Sequence, residues 1–172
     1  MRPLPECGFE DYSGVMRRFL FLVPALLVIA LDQWTKQWCR VHLPLDVARP
    51  WIGHWVYLTL TYNARGAFSL FPLPNAFFIG LIVVLLTGFS IYALRVPQKA
   101  GTQILLGLIL GGGIGNLIDR IRLGAVVDFI DLRWWPVFNV ADSAVSVGIT
   151  CFVLWLLFGN KAEGKSPPAR KS

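Results

Sequence analysis

Four long apolar runs dominate this 172-residue chain and leave few folds open to it. They cover residues 19–38, 76–94, 102–118 and 140–158. Each approaches the roughly 17–25 residues that a helix needs to cross a hydrocarbon core, the third and fourth at the short end. Lipid offers no partner to an unpaired backbone group, so such runs fold as helices. Hydrophobic residues make up 55% of the chain and charged residues only 15%, against about a quarter charged in soluble proteins. Mean hydropathy is +0.59. The net charge of +6 does not imply a nucleic-acid partner, because the basic residues gather at the ends of the apolar runs, where a membrane protein places them. The sequence predicts a single domain: an all-α polytopic membrane protein with four transmembrane helices, a small β-sheet platform on one membrane face and a short interfacial helix.

Basic residues set the expected orientation. Arg2, Arg17 and Arg18 lie in the arm 1–18, Arg95 and Lys99 between the second and third runs, and Lys161, Lys165, Arg170 and Lys171 in the tail 159–172. Four spans place these segments, and both termini, on one side, the cytoplasm by the positive-inside tendency. The bias is moderate, since Arg40, Arg49, Arg65, Arg120, Arg122 and Arg133 fall on the other side. Trp34, Trp38, Trp51, Trp55, Trp134 and Trp135 fall there too, as amphipathic rings do at a membrane interface. Arg17 and Arg18 precede the first run as they would in a signal peptide. That run continues into Asp32, Gln33, Trp34 and Lys36 without a small-residue cleavage pattern, so it reads as a retained helix.

The segment 39–75 reads differently from the spans. Val56–Tyr62, V-Y-L-T-L-T-Y, alternates and is rich in β-branched and aromatic residues, which predicts a strand of the outer platform. Residues 38–45 read as the interfacial helix, and the tail with Pro167 and Pro168 as disordered. Cys7, Cys39 and Cys151 lie far apart and His42 and His54 stand alone, so no metal or cofactor site is expected.

The chemistry is expected among the ten acidic residues. Asp32, Asp119, Asp128, Asp131 and Asp142 border or enter the spans, where a carboxylate is costly and usually serves a function. Asp46 lies in a polar loop and reads as a solvated charge. The stretch from Gly111 to Ser146 is the densest polar cluster. Its glycines read as close helix packing. Asn116 and Arg120 share a helix face, and so do Asn139 and Asp142, although Asn139 also fits a helix N-cap with Asp142 at the positive end of the helix dipole. Asp128 and Asp142 are 14 residues apart, and Gly124 and the Trp134-Trp135-Pro136 turn can fold the chain so that their carboxyls meet. Two carboxyls held close cannot both ionise easily. One can then accept a proton from water attacking an amide while the other donates to the carbonyl oxygen and the leaving amine. Asp131 is an alternative partner, or a partner of Arg133.

At these residues the chain resembles the lipoprotein signal peptidases, the type II signal peptidases, which are intramembrane aspartic proteases of bacteria. The blocks that carry the resemblance are L-D-Q-W-T-K (Leu31–Lys36), Y-N-A-R-G-A-F-S (Tyr62–Ser69), G-N-L-I-D-R (Gly115–Arg120), V-V-D-F-I (Val126–Ile130) and F-N-V-A-D-S (Phe138–Ser143). The resemblance covers roughly residues 31–148. The resemblance implies a catalytic dyad of Asp128 and Asp142, with Asp32, Asn63, Gly66, Asn116, Arg120 and Asn139 as supporting or substrate-binding residues. Lys36 is a further candidate, although an i, i+4 pair with Asp32 explains it locally. It also implies a diacylglyceryl-modified prolipoprotein substrate cut just before the lipidated cysteine, no cofactor or metal, inhibition by the cyclic peptide globomycin, contact with membrane lipid, and a bacterial inner membrane location with the active site and the β-platform on the periplasmic side. Nothing demands more than a monomer. One block departs from the family pattern, because Arg65 stands where a glycine is expected and Gly66 follows it. Arg65 is expected to point to lipid phosphate or the substrate backbone, and residues 49–72 to form a platform that closes over the cleft.

Two other function classes fit intramembrane carboxylates. A proton-coupled transporter needs a polar path across the bilayer, and the inner halves of the runs are almost bare of ionisable groups. In a scaffold subunit the polar residues only join helices, and alanine at Asp128 damages stability before activity.

Overall fold

The computed structural model describes residues 19–64, 73–95 and 99–158. The arm 1–18, the tail 159–172, Arg65 and Gly66 lie outside these residues. Four helices carry the fold: α1 (Leu22–His42), α2 (Asn75–Arg95), α3 (Ala100–Leu123) and α4 (Val140–Phe158). Three strands, β1 (Arg49–Ile52), β2 (Val56–Asn63) and β3 (Val126–Asp131), form an antiparallel sheet in the order β1-β2-β3.

Helices α2, α3 and α4 are long and apolar enough to cross a membrane. Helix α1 has 21 residues, about 30 Å, but its second half is polar. Its buried residues are Ala25, Val28, Asp32, Lys36 and Cys39, a single stripe at helical spacing. Its exposed face instead carries Leu26, Leu27, Leu31, Trp34 and Trp38. Asp32 and Lys36 of α1 therefore turn into the protein, while its large apolar groups turn outward and Arg40 and His42, in the last turn, are exposed.

Helix α3 is central, packing against α1, α2 and α4. Its glycines make this possible. A Cβ at Gly111 would lie 2.6 Å from the Ala25 carbonyl oxygen of α1, one at Gly115 would lie 2.6 Å from Asp32 Oδ2, and one at Gly112 would collide with the Ala141 carbonyl oxygen of α4. The expected role of the glycines as packing residues is thus realised at backbone level. Gly112→Val is expected to push α4 away beside Asp142 and to lower stability by about 1–3 kcal/mol. A thermal unfolding midpoint in detergent equal to that of the unaltered chain would contradict this packing account.

Several expected boundaries shift. The third run extends to Leu123 because Asp119 and Arg120 are buried against protein partners rather than lipid. Gly124, in the left-handed region at φ 75°, then ends the helix with its N–H on the Arg120 carbonyl. The separate interfacial helix over 38–45 does not form. Those residues are the last turn of α1, which runs unbroken to His42 because Cys39, 2% exposed, continues the buried stripe. The expected strand forms as β2. Strand β3, which carries Asp128, was not anticipated.

Strand β3 is held on both sides. Asp128 lies opposite Thr61 of β2. On the other edge Phe138 returns antiparallel, its N–H on the Ile130 carbonyl at 3.0 Å and its carbonyl accepting the Ile130 N–H at 2.8 Å. Cys39, Leu60, Val127 and Phe129 form the apolar cluster that seats the sheet on the helices. The return at Phe138 delivers the next residue, Asn139, to the side of Asp128.

Candidate active site

Asn139 joins the two expected acids. Its side-chain Oδ1 accepts the Asp142 N–H at 2.8 Å, and Asp142 Oδ2 accepts the Asn139 N–H at 3.3 Å. This reciprocal pair caps α4. The Asn139 Nδ2 group meanwhile donates to Asp128 Oδ1 at 2.7 Å. Opposite ends of one amide thus cap α4 and contact Asp128, so Asn139 is an N-cap and a bridge between the two carboxylates at once.

Each carboxylate has a second amide. Asn63 Nδ2, at the end of β2, donates to Asp128 Oδ2 at 3.2 Å. Asn116 Nδ2, on α3, donates to Asp142 Oδ1 at 2.7 Å. Asp131 does not join them, since side chains alternate along a strand and it lies an odd number of residues from Asp128. It binds the Thr59 hydroxyl at 2.8 Å, the Arg133 N–H at 2.7 Å and the Arg133 guanidinium at 3.2 Å. Burial pushes its carboxyl up, but these donors outweigh burial and hold it below the usual carboxylate range.

Beside Asp128 and Asp142 lies a buried ionic cluster. Lys36, 2% exposed, places Nζ 2.8 Å from Asp32 Oδ2, 2.9 Å from Asp119 Oδ2 and 2.9 Å from Asn116 Oδ1. All three ammonium donors are used, so Lys36 is more than the local partner of Asp32. Asp32 Oδ1 accepts the Ala141 N–H at 2.9 Å, supplying α4 with a second cap from α1. Asp119 Oδ2 also accepts the Val127 N–H at 3.1 Å and so fixes the start of β3. Asp119 was expected only as one of several costly carboxylates, and Gln33, whose amide reaches Asp119 Oδ1 at 3.0 Å, had no role from sequence. Their place in the G-N-L-I-D-R and L-D-Q-W-T-K blocks was the available signal.

A cleft of about 480 Å³ opens over the two acids. Asn63, Asn116, Arg120, Asp128 and Asp142 form its polar wall, and Phe78, Leu81, Ile82, Val126, Val137 and Phe138 are among its apolar lining. A second cavity of about 310 Å³ touches Lys36, Arg40, Asp119 and Arg122 but neither dyad carboxylate. Of these two, only the larger cleft is lined by Asp128 and Asp142. Burial, and then the charge of Asp142, push the Asp128 carboxyl up to about 7, against the lowering pull of the Asn63 and Asn139 amides and the Lys36 charge. Of the expected supporting residues, Asn63, Asn116 and Arg120 line this cleft, Asn139 bonds to both carboxylates, Lys36 and Asp32 lie behind them in the ionic cluster, and Gly66 lies outside the described residues.

The family model for signal peptidase (SPase) II matches residues 24–158. The chain belongs to the signal peptidase II family. It is 39% identical over 148 residues to the lipoprotein signal peptidase of Moorella thermoacetica, covering 86% of this chain and 99% of that one. It is 42% identical over 140 residues to the lipoprotein signal peptidase of Syntrophomonas wolfei, covering 80% and 93%. A solved bacterial membrane enzyme superposes with a TM-score of 0.79 at 26% identity, covering 88% of this chain and 94% of its own. A member of this family is a membrane-associated protease of prolipoprotein processing, and the cleft described above is where its site residues are to be sought.

Proposed function

We propose that this peptidase is an intramembrane aspartic endopeptidase, in which Asp128 and Asp142 activate water to cut a prolipoprotein just before its diacylglyceryl-modified cysteine. The observation that carries the reading is the joining of both carboxylates through Asn139 in the wall of one cleft. The pair shares one proton. The ionised member takes a proton from water as the oxygen attacks the scissile carbonyl carbon, and the protonated member donates to the carbonyl oxygen. Collapse of the tetrahedral intermediate breaks the C–N bond, and a dyad proton passes to the leaving amine. Asn63, Asn116 and Asn139 hold the carboxylates, while the Lys36 cluster holds Asn116. The apolar half of the cleft suits a membrane-borne signal helix and its lipidated cysteine.

All four helices cross the inner membrane in this reading, α1 included, because its mid-helix charges Asp32 and Lys36 face inward and Arg40 and His42 lie in its last turn, at the membrane interface. Both termini are cytoplasmic, and the sheet is a periplasmic platform beside the cleft. Arg65 and Gly66 belong to the segment that follows the platform toward α2.

The test is the pH dependence of cleavage of a diacylglyceryl-modified prolipoprotein, with the unlipidated protein as control. Only the lipidated form is cut. Raising pH through about 7 removes the proton that Asp128 retains, so turnover falls on the alkaline side. The Asn63 amide favours the ionised form of Asp128. Asn63→Leu removes it, raises the Asp128 carboxyl further and moves the alkaline limb upward, by up to about one pH unit. Equal cleavage of both substrates contradicts the proposed specificity, and an unmoved limb in Asn63→Leu contradicts the proposed role of Asp128.

A further inference from the structure

We infer that Asn75 is a positioning residue that aims the Arg120 guanidinium into the substrate cleft; the inference rests on the peptidase reading above. Asn75 is the first residue of α2. An asparagine at a helix start usually turns its side chain onto its own helix N–H groups. Here both ends of the amide go to Arg120 of α3 instead. Asn75 Oδ1 accepts from Arg120 Nη1 at 3.1 Å, and Asn75 Nδ2 donates to the Arg120 carbonyl at 2.9 Å. That carbonyl also accepts the Gly124 N–H that ends α3.

The Arg120 guanidinium carbon stands 4.4 Å from the Phe78 ring centroid, and the residue is 4% exposed. Ring and amide together restrict a side chain that otherwise has much rotamer freedom. A guanidinium has five N–H donors. One donor nitrogen is engaged by Asn75, and among the described residues no other hydrogen bond from the guanidinium is seen. Its side chain lines the cleft with Asp128 and Asp142. In a water-poor cleft the remaining donors seek acceptors, and an extended peptide beside its scissile bond presents carbonyl oxygens. Phe78, Leu81 and Ile82 of the apolar wall also come from α2. The Asn75–Arg120 pair thus joins the wall that receives apolar substrate to the helix that carries the polar one.

Steady-state cleavage of the lipidated prolipoprotein in detergent tests this. Asn75→Ala is expected to lower kcat/KM about 10- to 100-fold, chiefly through KM, while the unfolding midpoint stays within a few degrees of wild type. Asn75→Asp keeps an acceptor for Nη1 and retains kcat/KM within about threefold. In an Arg120→Lys background, Asn75→Ala adds less than about twofold, because the group it aims is already gone. An unaffected Asn75→Ala, a folded Asn75→Asp impaired about tenfold or more, or a full additive loss in the double variant overturns the inference. The aspartate variant decides the matter if the alanine variant does not fold. Asp128→Asn run in parallel separates the two readings. If it still cuts, the dyad reading of the cleft falls and the inference with it. If it is inert while Asn75→Ala is unimpaired, the inference alone falls.

Discussion

Asp128→Asn and Asp142→Asn are each expected to reduce cleavage of a diacylglyceryl-modified prolipoprotein by about 10³-fold or more, with the double variant little worse than either single one. The size follows from loss of proton transfer, typically about 10²–10⁴-fold, and the non-additivity from a pair that acts as a unit. The two variants are not equivalent in stability. At Asp128 the new amide group can face Asn63, whose own amide can rotate to present its oxygen, so the site stays satisfied. At Asp142 one oxygen is held by the backbone N–H of Asn139, which cannot rotate. The new NH₂ must then face Asn116 Nδ2. Lys36 and Asn139 both donate to Asn116 Oδ1 and lock that amide in place. Donor meets donor, so Asp142→Asn has the lower unfolding midpoint. Near-normal cleavage by either folded variant would remove the dyad from the mechanism, and equal midpoints would remove the argument about amide orientation.

Lys36→Met is expected to cost about 3–5 kcal/mol, the usual consequence of removing one partner from a buried ion pair. Asp32 and Asp119 lose their shared cation, and Asn116 loses the bond that orients it toward Asp142. Activity falls with stability, because the same ammonium serves both. Asp119→Asn in the Lys36→Met background recovers part of the midpoint by removing a buried charge, a coupling that a double-mutant cycle detects. If Lys36→Met unfolds within one or two degrees of wild type, the cluster does not carry the support assigned to it.

The architecture was readable because lipid imposes a simple rule. Apolar runs of bilayer length appeared as α2 and α4 almost to the residue, and β-branched alternation located β2. Expected limits failed where polar residues were satisfied by protein. Asp119 and Arg120 look like the end of a span, yet α3 continues through them because its partners there are side chains and backbone. Strand β3 was hidden because nearly all its residues are buried on both faces, which erases the period-2 signal that marks a strand.

The residues of the site were legible as types and in chain order: two acids with three asparagines, an arginine, and an aspartate and lysine four apart. Their order in the chain also pointed to the family to which the protein belongs. Their division of labour was not legible. That Asn139 caps α4 and binds Asp128 at once, that Lys36 has three acceptors, and that Asn75 answers Arg120 all depend on contacts between distant segments. Sequence alone determined the helical runs, the outward apolar surface and the set of polar residues too costly to leave in lipid. Only the tertiary structure decided which polar group satisfies which. Hydrogen bonds and ion pairs are short-ranged and directional, and their partners are fixed only once glycine-lined helices and a buried strand bring them within reach.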